Sequence, residues 1–153
     1  MFVCCWKGAK MLKQQTRLRV RLYARLSKDD GDADKESNSI KNQLQMLRYN
    51  AKEKGFIVVG EYVDDGYSGT TFNRPDLNRM IKDAMEDTEP TGIMVKDMSR
   101  FGRNNAMFMY YVEEIFPNND ILFIALNDDV DTRFDENEMM PFKSIMNEYY
   151  ARD

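Results

Sequence analysis

The chain has 153 residues, 42% hydrophobic and 31% charged, which suffices for one globular domain with its own core and would crowd two. Its formal net charge of -4 excludes a protein that holds nucleic acid by bulk electrostatics alone, while local basic clusters could still touch phosphates. The only cysteines are the adjacent Cys4 and Cys5 and there is no histidine, which excludes a disulfide framework, a zinc site and Ser-His-Asp hydrolase chemistry.

No stretch approaches the roughly 20 apolar residues of a bilayer span, and Met1 to Trp6 is too short for a signal-peptide core. The expectation is a soluble cytoplasmic protein with no membrane association. Residues 1–16 show no clear period and read as an N-terminal extension, with a second methionine, Met11, just before the first strand.

Arg17 to Asp30, RLRVRLYARLSKDD, is the most informative stretch. Val20, Leu22 and Ala24 alternate with Arg19, Arg21 and Tyr23, the pattern of a half-buried strand. Arg25 and Ser27 follow, two residues apart, and project the same way if the extended geometry persists. A serine after a strand is most often a turn or cap residue, so its chemistry has to be judged from the rest of the chain.

After the polar run DDGDADKESN, helical spacing begins at Ser39, with Ile40, Leu44, Leu47 and Ala51 on one stripe and Lys54-Gly55 as the stop. Phe56 to Val63 reads as a second strand, and strand, helix, strand favours a parallel pair with a right-handed crossover. The turn-rich DDGYSGTTFNRP leads to a helix over Asp76 to Met85 with Leu77, Met80, Ile81 and Ala84 inward. Ile93 to Val95 is a brief third strand, followed directly by KDMSRFGRN. Asn105 to Phe116 reads as a helix with Phe108, Tyr111, Val112 and Ile115 on one face, and Ile121 to Leu126 as the fourth strand. The run NDDVDTRFDENE reads as an acidic loop. From Pro141 a helical pattern carries Phe142, Ile145, Met146, Tyr149 and Tyr150 and ends without a stop signal, as if the chain were cut from a longer one.

The expected fold is α/β, three layers, with a mainly parallel sheet of about four strands and helices on both faces. Arg25 and Ser27, the SGTTFNR loop, and Arg100 and Arg103 each follow a strand, and such loops collect at one rim of the sheet. Arginines gathered around a serine suit a phosphate better than an acyl group, because a guanidinium offers fixed paired donors and stays charged. Positive charge beside Ser27 also favours its alkoxide, so the constellation suggests attack on a phosphodiester.

Five motifs, Tyr23-Ala-Arg25-Leu-Ser27, Ser39-Ile-Lys-Asn-Gln43, Asp65-Gly-Tyr-Ser68-Gly69, Asn73-Arg74-Pro75 and Ser99-Arg100-Phe-Gly-Arg103-Asn104, stand in this order. As a set, from about Leu18 onward, they resemble the N-terminal catalytic domain of the serine recombinases, the resolvase/invertase superfamily, and most of all its large branch on mobile elements. The resemblance implies site-specific DNA recombination with no metal or nucleotide cofactor, Ser27 forming a 5'-phosphoserine link while a 3'-hydroxyl is freed. It implies that Arg25, Arg74, Arg100 and Arg103 bind the scissile phosphate or its transition state, with Gln43, Ser68 and Ser99 in support. Small resolvases carry an aspartate where this chain has Ser99, which puts in doubt an acid role at that position. By the same resemblance residues 17–139 form the catalytic domain and residues 140–153 begin a long oligomerisation helix. That helix builds dimers and tetramers and leads to DNA-binding regions further along.

Some alternatives stay open. Arg74, beside Pro75, could merely anchor a loop through backbone carbonyls, and Gln43 could face solvent. The carboxylates Asp29-Asp30, Asp64-Asp65 and Asp129-x-Asp131 at strand ends could hold Mg²⁺ as in Toprim-like nucleases and topoisomerases, although a solvated rim is the plainer account. The chain could also be a truncated, non-catalytic partner of full-length recombinases.

Overall fold

Arginine and tyrosine alternate with aliphatic residues along the first strand, and the sheet is assembled so that both sets are buried from Val20 to Arg25. A computed structural model describes residues 17–26, 39–68, 73–102 and 105–133. The expected N-terminal extension (1–16), the polar run that begins with Ser27, Arg103, and the expected oligomerisation helix (140–153) lie outside the described residues.

The elements run β1 (Arg19–Leu26), α1 (Ile40–Glu53), β2 (Ile57–Asp65), α2 (Pro75–Glu86), β3 (Thr91–Val95), α3 (Met98–Phe101), α4 (Asn105–Tyr110), a π-helical turn (Tyr111–Ile115), α5 (Phe116–Asn118), β4 (Ile121–Ala125) and β5 (Val130–Asp131). The sheet has five strands in the order β2-β1-β3-β4-β5. The first four are mutually parallel and β5 is antiparallel to β4. Two expectations are corrected here. The sheet has a fifth strand, inside what reads as an acidic loop, because Val130 is buried against β4 while its acidic neighbours are not. And β1 is not half-buried: as an interior strand covered on both faces it buries Arg21, Tyr23 and Arg25 as well as Val20, Leu22 and Ala24.

The alternation of β1 divides the core in two. Val20, Leu22 and Ala24 pack with Leu44, Leu47 and Ala51 of α1, Met94 of β3 and Ile124 of β4. On the other face Tyr23 joins Leu77, Met80, Ile81 and Ala84 of α2 and the residues of α3 to α5. There Phe101 makes edge-on contacts with Phe108, Tyr111, Phe116 and Phe123 at centroid distances of 5.2–6.1 Å, which ties α3 into the core. The π-helical turn inserts one residue into the expected helix, so Phe116 also reaches the core while Tyr111 and Ile115 are half-buried.

Helix ends follow the local chemistry. The Ser39 side chain accepts from Asn42 N–H at the start of α1, and Gly55, at a φ of +72°, lets the chain turn after Lys54. Pro75 opens α2 at its first position.

The chain leaves β1 to one side for β2, then crosses back over β1 to reach β3 on the other side. This reversal lies between β1 and β3. It opens a crevice beyond their carboxyl ends, where ligands of open α/β sheets bind.

Candidate active site

Three of the arginines singled out in the sequence meet at that crevice. Arg25 is near the end of β1, Arg74 is the residue before α2, and Arg100 is in α3, directly after β3. Arg25 and Arg74 are fully buried and Arg100 is 6% exposed.

The three are braced to one another through backbone carbonyls. Arg25 Nη1 donates to the Tyr67 carbonyl at 2.9 Å and Nη2 to the Ser99 carbonyl at 3.1 Å, so one guanidinium spans the loops after β2 and β3. Arg74 Nη1 donates to the Arg100 carbonyl at 2.9 Å and Nη2 to that of Phe101. Arg100 Nη1 donates to the Arg25 carbonyl at 3.1 Å. Each side chain thus fixes a segment bearing another, which suits a guanidinium with five donors in a rigid fork. For Arg74 the anchoring of a loop through carbonyls is what the geometry presents.

Gln43 does not face solvent: it is fully buried on α1. Its Oε1 accepts the Arg25 N–H at 3.3 Å and its Nε2 donates to the Arg25 carbonyl at 3.0 Å, a side-chain clamp that continues the ladder where β1 is about to end. Ser68 lies half-buried just beyond β2, one residue after Tyr67, whose carbonyl Arg25 holds. The Ser99 hydroxyl donates to Asp97 Oδ1, and its carbonyl takes Arg25.

The α3 turn is held by carboxylates. Asp97 accepts the Arg100 N–H at 3.2 Å and lies 3.7 Å from Arg100 Nε. Asp128, in the loop after β4, accepts the Met98 N–H at 2.6 Å. Burial pushes the Asp128 carboxyl above the ordinary aspartate range, with the Met98 N–H pulling the other way and Asp97 reinforcing the rise.

Beneath Arg74 lies a polar pair, Tyr23 and Asp64, that the sequence alone does not connect to the arginines. Tyr23 OH accepts from Arg74 Nη1 at 3.0 Å and donates to Asp64 Oδ2 at 2.9 Å. Asp64 also accepts the N–H groups of Asp76 at 3.1 Å and Leu77 at 2.9 Å in the first turn of α2. At 2% exposure Asp64 is no solvated rim residue. Burial pushes the Tyr23 phenol well above its usual range, Arg74 draws it down, and Asp64 adds to the rise, so the proton stays on the phenol. Burial also lowers the Arg74 guanidinium, against the opposing pull of Tyr23 and Asp64. The one sequence signal for Asp97 is an aspartate just before a short helical turn, and Asp64 stands out only as half of the Asp64-Asp65 pair at a strand end, which points to a metal or a solvated rim and not to Tyr23.

Of the carboxylates weighed as metal ligands, Asp64 is engaged as above and Asp131 pairs with Arg133, while Asp29 and Asp30 lie outside the described residues. Among the described residues no helix is long and apolar enough to cross a membrane.

The chain is similar in structure to the N-terminal catalytic domain of TP901-1 integrase, at 28% identity and a TM-score of 0.70 over 88% of this chain and 97% of that one. It is similar also to a resolvase family site-specific recombinase from Streptococcus pneumoniae, at 25% identity and a TM-score of 0.67, covering 89% and 90% of the two chains. The fold is shared too by the C-terminal catalytic domain of ISC1926 TnpA, an IS607-like serine recombinase, at 23% identity and a TM-score of 0.59 over 71% of this chain and 70% of that one. No curated protein sequence matches the chain significantly. The family model described as the resolvase N-terminal domain matches residues 20–153. That match takes in all the strands and helices around the arginine cluster, and the chain belongs to the resolvase N-terminal domain family of serine recombinases.

Proposed function

We propose that this chain is the catalytic part of a site-specific DNA recombinase in which Ser27 is the nucleophile. The observation that carries the reading is the bracing of Arg25, Arg74 and Arg100 at the switch point of the sheet, with Ser27 two residues beyond Arg25 in the sequence.

The serine oxygen attacks a backbone phosphorus, the bond from phosphorus to the 3'-oxygen breaks, and the departing oxygen takes up a proton as the serine gives one up. The product is a 5'-phosphoserine link and a free 3'-hydroxyl. After strand exchange the hydroxyl attacks the phosphorus and releases the serine. One phosphoester bond replaces another at each step, so no nucleotide is consumed. Arg25, Arg74, Arg100 and Arg103 stabilise charge on the non-bridging phosphate oxygens, where fixed cations lower the barrier most. Gln43 and Ser99 hold the backbone and side chain of Arg25, and Ser68 sits beside the carbonyl that Arg25 grips.

DNA is the partner, and two or four copies act together through the helix expected from about residue 140. With a net charge of -4 the chain gains counterion release from only a few phosphates. These 153 residues alone therefore bind DNA weakly, in a salt-sensitive and non-specific way, and do not recombine it.

Incubating the full-length protein with its own recombination site is the direct test. The expected product is a covalent protein–DNA adduct whose peptide maps to Ser27, absent in Ser27→Ala. An adduct on a tyrosine, or cleavage that EDTA abolishes and Ser27→Ala leaves intact, overturns the proposal.

A further inference from the structure

Asp64 has three donors aimed at it in a fully formed fold, and only two of them serve the helix it caps. Asp76 and Leu77 supply backbone N–H groups from the first turn of α2, and the third donor is the Tyr23 hydroxyl. The same hydroxyl accepts from Arg74, which also donates to the Arg100 and Phe101 carbonyls. Arg100 in turn reaches the Arg25 carbonyl. A continuous buried chain therefore runs from the start of α2 to the end of β1. It passes through Asp64, Tyr23, Arg74 and Arg100, all at most 6% exposed.

The polarity of this chain has a consequence. A phenol can receive the Arg74 donor on its lone pair only while its own proton is directed elsewhere, and Asp64 is the acceptor that takes it. Without Asp64 the hydroxyl is free to rotate and the acceptor facing Arg74 is no longer fixed. The Arg74 ring contact, 5.7 Å from guanidinium carbon to the Tyr23 centroid, holds its plane but not its hydrogen-bond direction.

From this geometry we infer that Asp64 and Tyr23 are positioning residues for the arginine cluster. Asp64 orients the Tyr23 hydroxyl, which registers Arg74 against the backbone of Arg100 and so sets the place of Arg100 in the site. Neither touches the scissile phosphate. The inference rests on the recombinase reading above, because it is that reaction which misplacement slows.

The test uses the full-length protein and single-turnover cleavage of its own site, with DNA affinity measured in parallel. Tyr23→Phe keeps the ring and removes the hydroxyl, and Asp64→Asn keeps one acceptor oxygen for α2 and removes the charge. Each is expected to slow cleavage by about tenfold to a hundredfold with DNA affinity unchanged, the scale of a small misplacement in a preorganised site. The discriminating measurement is the combination with Arg74→Ala: if Tyr23 acts through Arg74, adding Tyr23→Phe to Arg74→Ala costs nothing further. A general loss of fold would instead multiply the two effects. Multiplied effects, or wild-type cleavage by Tyr23→Phe, overturn the inference. If Ser27→Ala also cleaves normally, the recombinase reading itself has failed; if Ser27→Ala is dead while Tyr23→Phe is normal, only the positioning role has.

Discussion

The carbonyl oxygen of Arg25 accepts from Arg100 Nη1 at 3.1 Å and from Gln43 Nε2 at 3.0 Å, so two side chains from opposite faces of the sheet converge on one peptide group. That peptide lies one residue before the end of β1 and two before Ser27. Its position is fixed by charge-assisted and amide hydrogen bonds together, and the segment that follows starts from a rigid point.

Arg25→Lys and Arg100→Lys keep the positive charge and lose the fork. A lysine at position 25 cannot span the Tyr67 and Ser99 carbonyls, and one at position 100 cannot hold the Arg25 carbonyl while pairing with Asp97. Single-turnover cleavage is expected to fall by about a hundredfold or more, with gel-shift affinity within about threefold of wild type. Parallel losses of cleavage and affinity would mark both arginines as docking contacts instead.

Gln43→Leu fills nearly the same volume and leaves the N–H and carbonyl of Arg25 without their amide partner. The expected cost is about 1–3 kcal/mol in a denaturant titration, the penalty for buried backbone groups that lose a bond. Cleavage falls as well, since the end of β1 is no longer clamped. A solvated glutamine would give neither effect, and unchanged stability in Gln43→Leu would remove the clamp from the account.

Acid is expected to weaken the fold through Asp87. This carboxylate, 6% exposed, pairs with Arg21 at 2.9 Å and Arg19 at 2.6 Å, which ties β1 to the end of α2. Burial alone would raise its pKa, but the hydrogen bonds from Arg21, the Glu89 N–H and Arg19 outweigh it, and the folded value lies below the ordinary one. A depressed folded pKa means that the stabilisation is complete above the unfolded value, about 3.9 for an aspartate, and is lost as pH falls through the folded one. Urea titrations from pH 7 into the acid range should show a shallower pH dependence for Asp87→Asn than for wild type, from a lower starting stability. Superimposable pH profiles would assign the acid sensitivity to other carboxylates, such as Asp76 and Glu61, whose pKa values are also lowered.

The sequence by itself determined the first four strands, the helices α1 and α2 and the rim. The inward stripes of α1 and α2 are the ones their spacing requires, and three strands end in arginine-bearing segments because period two and turn chemistry are local properties. The family, too, was legible in the ordered motifs from Tyr23 to Asn104. Only the tertiary structure decided what burial does to the polar residues. Arg21, Tyr23 and Arg25 alternate with aliphatics as a solvent-facing set would, yet lie inside because α2 and the later helices cover that face, and no local pattern reports what packs on a strand from sixty residues away. The acidic run after β4 hides a strand for the same reason: Val130 is selected by the ladder it meets on β4. Asp64 reads as half of an acidic turn, and becomes the acceptor of Tyr23 and of the first turn of α2 only once β1, β2 and that helix are brought together, since a buried carboxylate must find donors wherever the fold supplies them.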